Sequence, residues 1–242
     1  MASVSTQPGL EVARPEVPYA SNAHRWIDLG LVLLVAFAHS ILGSIIQWFH
    51  PASVIRSNSA IGLSILGEAI ALLLFFILFG RQERRLTDIG LSFRWTDIPK
   101  GLGLAIVSLI FMRITAIAVP YIYFLVTLRD FPFNASSSNV FTASLWLLIP
   151  FLLLNPFFEE ILVRGYLMTE WISLRGSAVL AAILSVTFQT SYHLYYGVYG
   201  AMMVGCGLSV FAIYFAKSRR LIPVILAHMF WDFTLLWSKL HS

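Results

Sequence analysis

The chain has 242 residues, of which 58% are hydrophobic and only 12% are charged. Its mean hydropathy of +0.80 lies outside the usual range of soluble domains and indicates an integral membrane protein. The formal net charge of +4 does not indicate a nucleic-acid partner, because in a membrane protein the positions of the basic residues matter more than their total. The single cysteine excludes both an intrachain disulfide and a thiolate metal cluster.

Long apolar runs recur along the chain, and most are close to the ~20 residues that a membrane-spanning helix needs. There are seven, at 26–48, 60–79, 99–127, 140–158, 177–193, 200–216 and 221–238. They predict an all-α, polytopic bundle of seven transmembrane helices, or eight if 99–127 or 157–173 is counted differently. The lipid bilayer is therefore an expected partner, and we predict a multi-pass protein with a polar cavity inside the membrane.

The chain divides by composition into three predicted parts. Residues 1–25 contain three prolines and no apolar core, which predicts a flexible tail rather than a signal peptide. The helices of 26–139 carry only scattered polar residues, whereas those of 140–240 carry glutamate, arginine, histidine and aspartate in three ordered clusters. We interpret 26–139 as N-terminal transmembrane helices and 140–240 as the functional core.

Loops rich and poor in basic residues alternate along the chain. The rich segments are the stretch before the first apolar run and those around 80–100, 170–177 and 217–220. Because cytoplasmic loops carry the excess of lysine and arginine, the alternation predicts that the N-terminus and these segments are cytoplasmic. With seven spans the C-terminus would lie outside.

The first polar cluster is FFEEILVRGY, residues 157–166. Residues four apart share a face of a helix, while immediate neighbours point about 100° apart. Glu160 therefore aligns with Arg164 and is predicted to form an ion pair with it. Glu159 is turned away from both and has no local cation, so it is the glutamate left available for proton transfer.

The other two clusters contain histidines. Glu159 and His193 are each 17 residues from Gly176 in the polar turn SLRGS, so an antiparallel helical hairpin would place them at the same depth. His228 and Asp232 are four residues apart and share a helix face. His228 reaches the same depth only if the tip of the hairpin extends ~10 Å beyond the KSRR turn at 217–220, which precedes the last helix.

Three motifs in order, Glu-Glu-x-x-x-Arg, an aromatic-rich segment ending in His, and His-x-x-x-Asp, lie on successive predicted helices in 140–240. This pattern resembles the CAAX prenyl protease and bacteriocin-processing family, the type II CAAX endopeptidase-like intramembrane proteases. The resemblance implies peptide hydrolysis near the cytoplasmic side, in an intramembrane catalytic cavity.

By the resemblance, Glu159 and His193 would activate water, and His228 and Asp232 would stabilise the oxyanion, with Glu160 and Arg164 in support. Two positions depart from the family pattern. Gln189 stands where a phenylalanine is expected four residues before the histidine. Asp232 stands where eukaryotic relatives have asparagine; an ionised aspartate would repel an oxyanion, so we expect Asp232 to orient His228 or to be protonated.

The preferred hypothesis needs no cofactor, but a zinc form, with His193, His228 and Glu159 as ligands, stays open. The expected partner is a membrane-associated protein or peptide substrate; whether it is prenylated, and the oligomeric state, do not follow from the sequence. The short N-terminus favours a prokaryotic plasma (inner) membrane. A proton-coupled transporter and a protease-like scaffold that binds without cutting are the alternatives.

Overall fold

The computed structural model describes residues 21–50, 54–132 and 139–240, and these are almost entirely helical. Their α-helices are α1 (Asn22–Phe49), α2 (Asn58–Arg81), α3 (Asp97–Thr127), α4 (Leu145–Glu160), α5 (Thr169–Arg175), α6 (Ala178–Ser191), α7 (Gly197–Ser218) and α8 (Ile222–Leu240). A π-helical segment, Ile161–Met168, joins α4 to α5, and short 3-10 helices occupy Leu86–Ile89 and Leu194–Tyr196. The all-α membrane bundle predicted from the sequence is confirmed.

Each of the seven apolar runs corresponds to one helix, although the runs 140–158, 177–193 and 221–238 extend beyond the ends of α4, α6 and α8. Five helices of the described ranges are long and apolar enough to cross a membrane, and the shorter α6 and the first part of α8 are also apolar. The 157–173 segment adds no further span, because α4, the π segment and α5 form one continuous helix, Leu145–Arg175. Likewise 99–127 is a single helix that contains Pro120.

Two three-residue strands, β1 (Val54–Arg56) and β2 (Asn139–Phe141), pair in parallel. The sequence did not predict this pairing. Of the predicted tail, residues 1–20 lie outside the described ranges. The last four residues of that tail already belong to α1, whose first turn is capped by the Ser21 hydroxyl, which accepts a hydrogen bond from the His24 amide.

The predicted hairpin is present. The helix Leu145–Arg175 ends at Gly176, whose φ of 77° is in the left-handed region that glycine adopts readily. Ser177 then caps α6, because its hydroxyl accepts a hydrogen bond from the Leu180 amide. α6 returns along the π segment and packs against it and against α7.

The π segment lies at the centre of the bundle. Every residue from Phe158 to Glu170 is buried, so this stretch exposes no face to lipid. α6, α1 and α7 pack against it, α2 and α8 pack against the preceding α4, and α3 packs outside against α7 and α8. π-helical turns are uncommon and often occur at functional sites, and here the turn directly follows Glu159 and Glu160.

The basic connections meet at one end of the bundle. Glu170 is fully buried there and forms ion pairs with Arg25 before the membrane part of α1 and with Arg84 after α2. Arg220 in the α7–α8 turn binds Asp97 at the start of α3 at 2.6 Å, and this carboxylate raises the pKa of the Arg220 guanidinium. The loops predicted to share one side of the membrane therefore lie together; which side they face remains a prediction.

The α7–α8 turn lies beside the π segment rather than at the hairpin tip. The Arg219 guanidinium donates to the Thr169 hydroxyl at 3.2 Å, and a Cβ on Gly165 would stand 3.1 Å from the Leu221 side chain. Residues 170–176 therefore extend beyond this turn. The extension brings His228 to the depth of the two glutamates, as the sequence required.

Candidate functional site

Glu159 lies at the end of α4 and is buried. Its Oε2 atom accepts two hydrogen bonds from α6 and its C-terminal cap, one from the Gln189 amide at 2.9 Å and one from the Tyr192 hydroxyl at 2.7 Å. Neither bond uses the second carboxylate oxygen, Oε1, and the described residues donate nothing to that atom. Glu159 is thus held in a fixed orientation with one oxygen left to bind a further donor such as water.

His193 lies two residues beyond the end of α6, next to Tyr192. Its Nδ1 atom is 2.9 Å from the Gln189 carbonyl oxygen. A carbonyl can only accept, so Nδ1 carries the hydrogen and the neutral ring presents Nε2 as an acceptor. Gln189 therefore contacts both predicted partners, Glu159 through its side chain and His193 through its backbone, and no direct hydrogen bond joins those two.

Glu160 points in a different direction from Glu159, about 100° around the helix axis. Its Oε2 lies 3.4 Å from Arg164 Nε, and its Oε1 lies 3.4 Å from Arg164 Nη1. Arg164 also donates to the Leu208 carbonyl at 3.3 Å. The predicted ion pair is therefore present, and both of its side chains are completely buried.

His228 is held by the same carboxylate. Its Nδ1 lies 2.8 Å from Glu160 Oε1, whereas its Nε2 is 3.9 Å from Asp232 Oδ1. A carboxylate beside an arginine is an acceptor, so His228 donates to it from Nδ1. The group that orients His228 is thus Glu160 rather than Asp232, which corrects the expectation that Asp232 would do so.

Asp232 lies near Nε2, the second ring nitrogen of His228, and is one helical turn further along α8. The side chain of Asn155, on α4, is its polar neighbour. This position leaves Asp232 near the Nε2 atom that would face a reacting group. Asp232 therefore contributes a carboxyl group on the Nε2 side of the His228 ring, but it does not set the orientation of that ring.

The site therefore has two halves built on adjacent residues. On one side, the free oxygen of Glu159 and the acceptor nitrogen of His193 can hold and deprotonate a water. On the other, Glu160 stabilises a positive charge on His228, whose Nε2–H can then donate to a developing oxyanion. The two glutamates thus lie beside different histidine-bearing segments: Glu159 binds Tyr192, next to His193, and Glu160 binds His228.

A zinc centre was the alternative use of Glu159, His193 and His228. In the part of the chain that the structure describes, no three His, Cys, Asp or Glu side chains are grouped so as to hold a metal ion. Of the three candidate ligands, Glu159 and His193 lie in one half of the site, and His228 lies in the other, where it binds Glu160. We therefore derive no step through zinc.

Three residues of the site were not foreseen: Gln189 and Tyr192, which bind Glu159, and Asn155, which lies beside Asp232. The sequence held a signal for two of them. Gln189 is a polar residue where the family pattern expects phenylalanine, and Asn155 is one helical turn before Glu159 in an otherwise apolar run. Tyr192 gave no such signal, since tyrosines are numerous around it.

Comparison with known protein families identifies a domain in the second half of the chain. Residues 141–234 match the family model described as "Type II CAAX prenyl endopeptidase Rce1-like". The predicted site residues all lie inside the matched region: Glu159, Glu160, Arg164, His193, His228 and Asp232. No curated protein and no solved structure gives a significant match. The resemblance inferred from the three motifs is confirmed.

Proposed function

Since residues 141–234 carry a Rce1-like type II CAAX prenyl endopeptidase domain within a multi-pass bundle of apolar helices, we propose that this protein is an intramembrane endopeptidase. Its substrates would be membrane-associated proteins or peptides, of which prenylated CAAX proteins are one class. The observation that carries the proposal is the buried Glu159, held by two donors on one oxygen with the other oxygen open.

The first step is attack by water. A water bound between Glu159 Oε1 and His193 Nε2 donates a hydrogen bond to each acceptor. As its oxygen forms a bond to the scissile carbonyl carbon, one proton passes to the carboxylate. Because the side chains on α6 fix Glu159 before substrate arrives, little reorganisation is needed at the moment of reaction.

The second step is collapse of the tetrahedral intermediate. His228 donates from Nε2 to the oxyanion, and Glu160 stabilises the charge on the imidazolium. The carbon–nitrogen bond then breaks, and the proton held by Glu159 passes to the leaving amine. Asp232 lies 3.9 Å from His228 Nε2; because an ionised carboxylate there would repel the oxyanion, the step requires Asp232 to be protonated, the second of its two expected states.

Removing a donor to Glu159 should slow the reaction without unfolding the protein. Tyr192→Phe deletes the 2.7 Å bond to Glu159 and keeps the ring. We expect kcat to fall roughly ten- to hundredfold, because a hydrogen bond to a charged group contributes about 1.5–3 kcal/mol, while KM changes little. Tyr121→Phe, at an exposed tyrosine on α3, is the control. Equal rates for Tyr192→Phe and the wild type would contradict the assigned role of that hydroxyl.

Metal removal tests the cofactor-free form of the mechanism. After exhaustive chelation and metal analysis of the purified protein, we expect full cleavage activity and no stoichiometric zinc, since Glu159 itself takes the proton. Stoichiometric zinc with activity that a chelator abolishes and zinc restores would overturn the cofactor-free form.

The function is tested by comparing the termini of membrane proteins in cells that hold either the wild-type protein or Glu159→Gln. A terminus that appears only with the wild type would support the protease and identify its substrate. A phenotype retained by both Glu159→Gln and His193→Ala would instead favour the scaffold. Solute or proton flux through liposomes without any cleavage would favour the transporter.

We also propose a prokaryotic plasma membrane as the location, with the N-terminus and the basic loops in the cytoplasm. The clustering of Arg25, Arg84 and Arg220 at one end of the bundle supports a shared side for these loops. Protease accessibility of that end in sealed vesicles of known orientation decides the direction.

A further inference from the structure

Ser44 on α1 contacts the backbone on both sides of His193. Its hydroxyl donates to the Tyr192 carbonyl at 2.9 Å and accepts from the Tyr195 amide at 2.8 Å. The first group is the carbonyl of the C-terminal cap of α6, and the second is an amide in the first turn of the 3-10 helix Leu194–Tyr196. Both are backbone groups that a helix end leaves without an intrahelical partner.

Ser44 is buried, and aromatic side chains pack against the same segments of the site from α1. Ser44 is 3% exposed. Two helical turns earlier on α1, Phe37 stacks on Tyr192 at 5.2 Å and packs against Phe158 at 5.0 Å between ring centroids. Phe158 directly precedes Glu159, so one helix supports the segments that carry both water-binding side chains.

We propose that Ser44 is a positioning residue for His193. α1 lies outside the region 141–234 that matches the family model, so a helix from the N-terminal half of the chain completes the site. By fixing the turn between α6 and the 3-10 helix, the Ser44 hydroxyl sets the direction of His193 Nε2 toward the water. The expected effect of Ser44 on the cleavage rate rests on the proposed function. Its expected effect on the turn between α6 and the 3-10 helix does not.

The turn is tested by amide hydrogen exchange on the full-length protein in lipid nanodiscs. Ser44→Ala should increase exchange in peptides that cover residues 190–198. The matched control is Ser108→Ala, which also removes a fully buried hydroxyl, one that donates to the Gly207 carbonyl on α7. Exchange of 190–198 should stay unchanged in that control. Unchanged exchange in Ser44→Ala, or an equal increase in both variants, would overturn the proposal.

The rate is tested with a peptide that the wild-type protein cleaves. We expect Ser44→Ala to lower kcat about ten- to hundredfold at nearly constant KM, the size of effect that a small misplacement of a reacting group produces. Ser108→Ala should stay within about twofold of the wild type. In a His193→Ala background, Ser44→Ala should have no further effect, because it acts through His193.

A further loss in that background, or an unchanged kcat in Ser44→Ala, would overturn the positioning role. If the wild-type protein cleaves nothing, the proposed function fails, and the exchange measurement still decides whether Ser44 holds the turn.

Discussion

Glu159→Gln is expected to abolish peptide cleavage while leaving the fold intact. General-base catalysis contributes about 10²–10⁴-fold to a rate, and here the same group also returns the proton to the leaving amine, so we expect kcat to fall by about 10³-fold or more. KM should change little, because Glu159 binds the water rather than the length of the substrate. The measurement is the cleavage rate of a peptide that spans the identified processing site.

The structure explains why this variant should fold. The oxygen of a glutamine side chain can still accept from the Gln189 amide and the Tyr192 hydroxyl, so the loss is limited to replacing a charged acceptor by a neutral one, about 1 kcal/mol per bond. Glu83→Gln, at an exposed glutamate in the α2–α3 connection, is the matched control and should behave as the wild type. Retention of more than a tenth of the wild-type rate by Glu159→Gln would contradict the general-base role.

The fold was predictable because its signal is local. Each apolar run needs only its own composition to indicate a helix, and Gly176 in its polar turn indicates where the hairpin reverses. Equal spacing from Gly176 then predicts the common depth of Glu159 and His193. What spacing along two helices does not give is their rotation about each axis, and rotation decides that Gln189 and Tyr192, rather than His193, contact Glu159 directly.

The contacts that were missed are not local. The helical i,i+4 rule pairs Glu160 with Arg164, but it cannot reveal His228, which lies 68 residues further along the chain. The π-helical segment Ile161–Met168 was not predicted either, since the i,i+4 spacing assumes an ordinary α-helix. Ser44 is likewise one serine in an apolar helix until the fold brings it to the His193 turn.

Arg164→Met should destabilise the protein more than the other substitutions named here. Glu160 would keep its charge in the centre of the bundle, beside His228 but without the counter-charge of the arginine. Breaking a buried ion pair on one side typically costs about 3–5 kcal/mol, and the Leu208 carbonyl would also lose its donor. We expect the free energy of unfolding in detergent to fall by about that amount, whereas Arg129→Met, at an exposed arginine, should change it by less than about 0.5 kcal/mol.

Adding Glu160→Gln to Arg164→Met separates stability from catalysis. The double variant removes the unpaired charge, so most of the lost unfolding free energy should return, because replacing both members of a buried pair is often close to neutral. Activity should not return. His228 would have a neutral amide at Nδ1 instead of a carboxylate, its imidazolium would lose its support, and kcat should stay at least about 10²-fold below wild type, as when an oxyanion donor is lost.

Recovery of both stability and activity in the double variant would mean that Glu160 serves only to neutralise Arg164. Recovery of neither would mean that the pair is needed for packing as such. The expected result, a stable protein that does not cleave, follows from the two partners of Glu160: Arg164 gives the buried carboxylate a counter-charge, and His228 donates a hydrogen bond to it. The arginine is then required because the histidine needs a carboxylate, and a carboxylate at the centre of a membrane bundle needs a cation beside it.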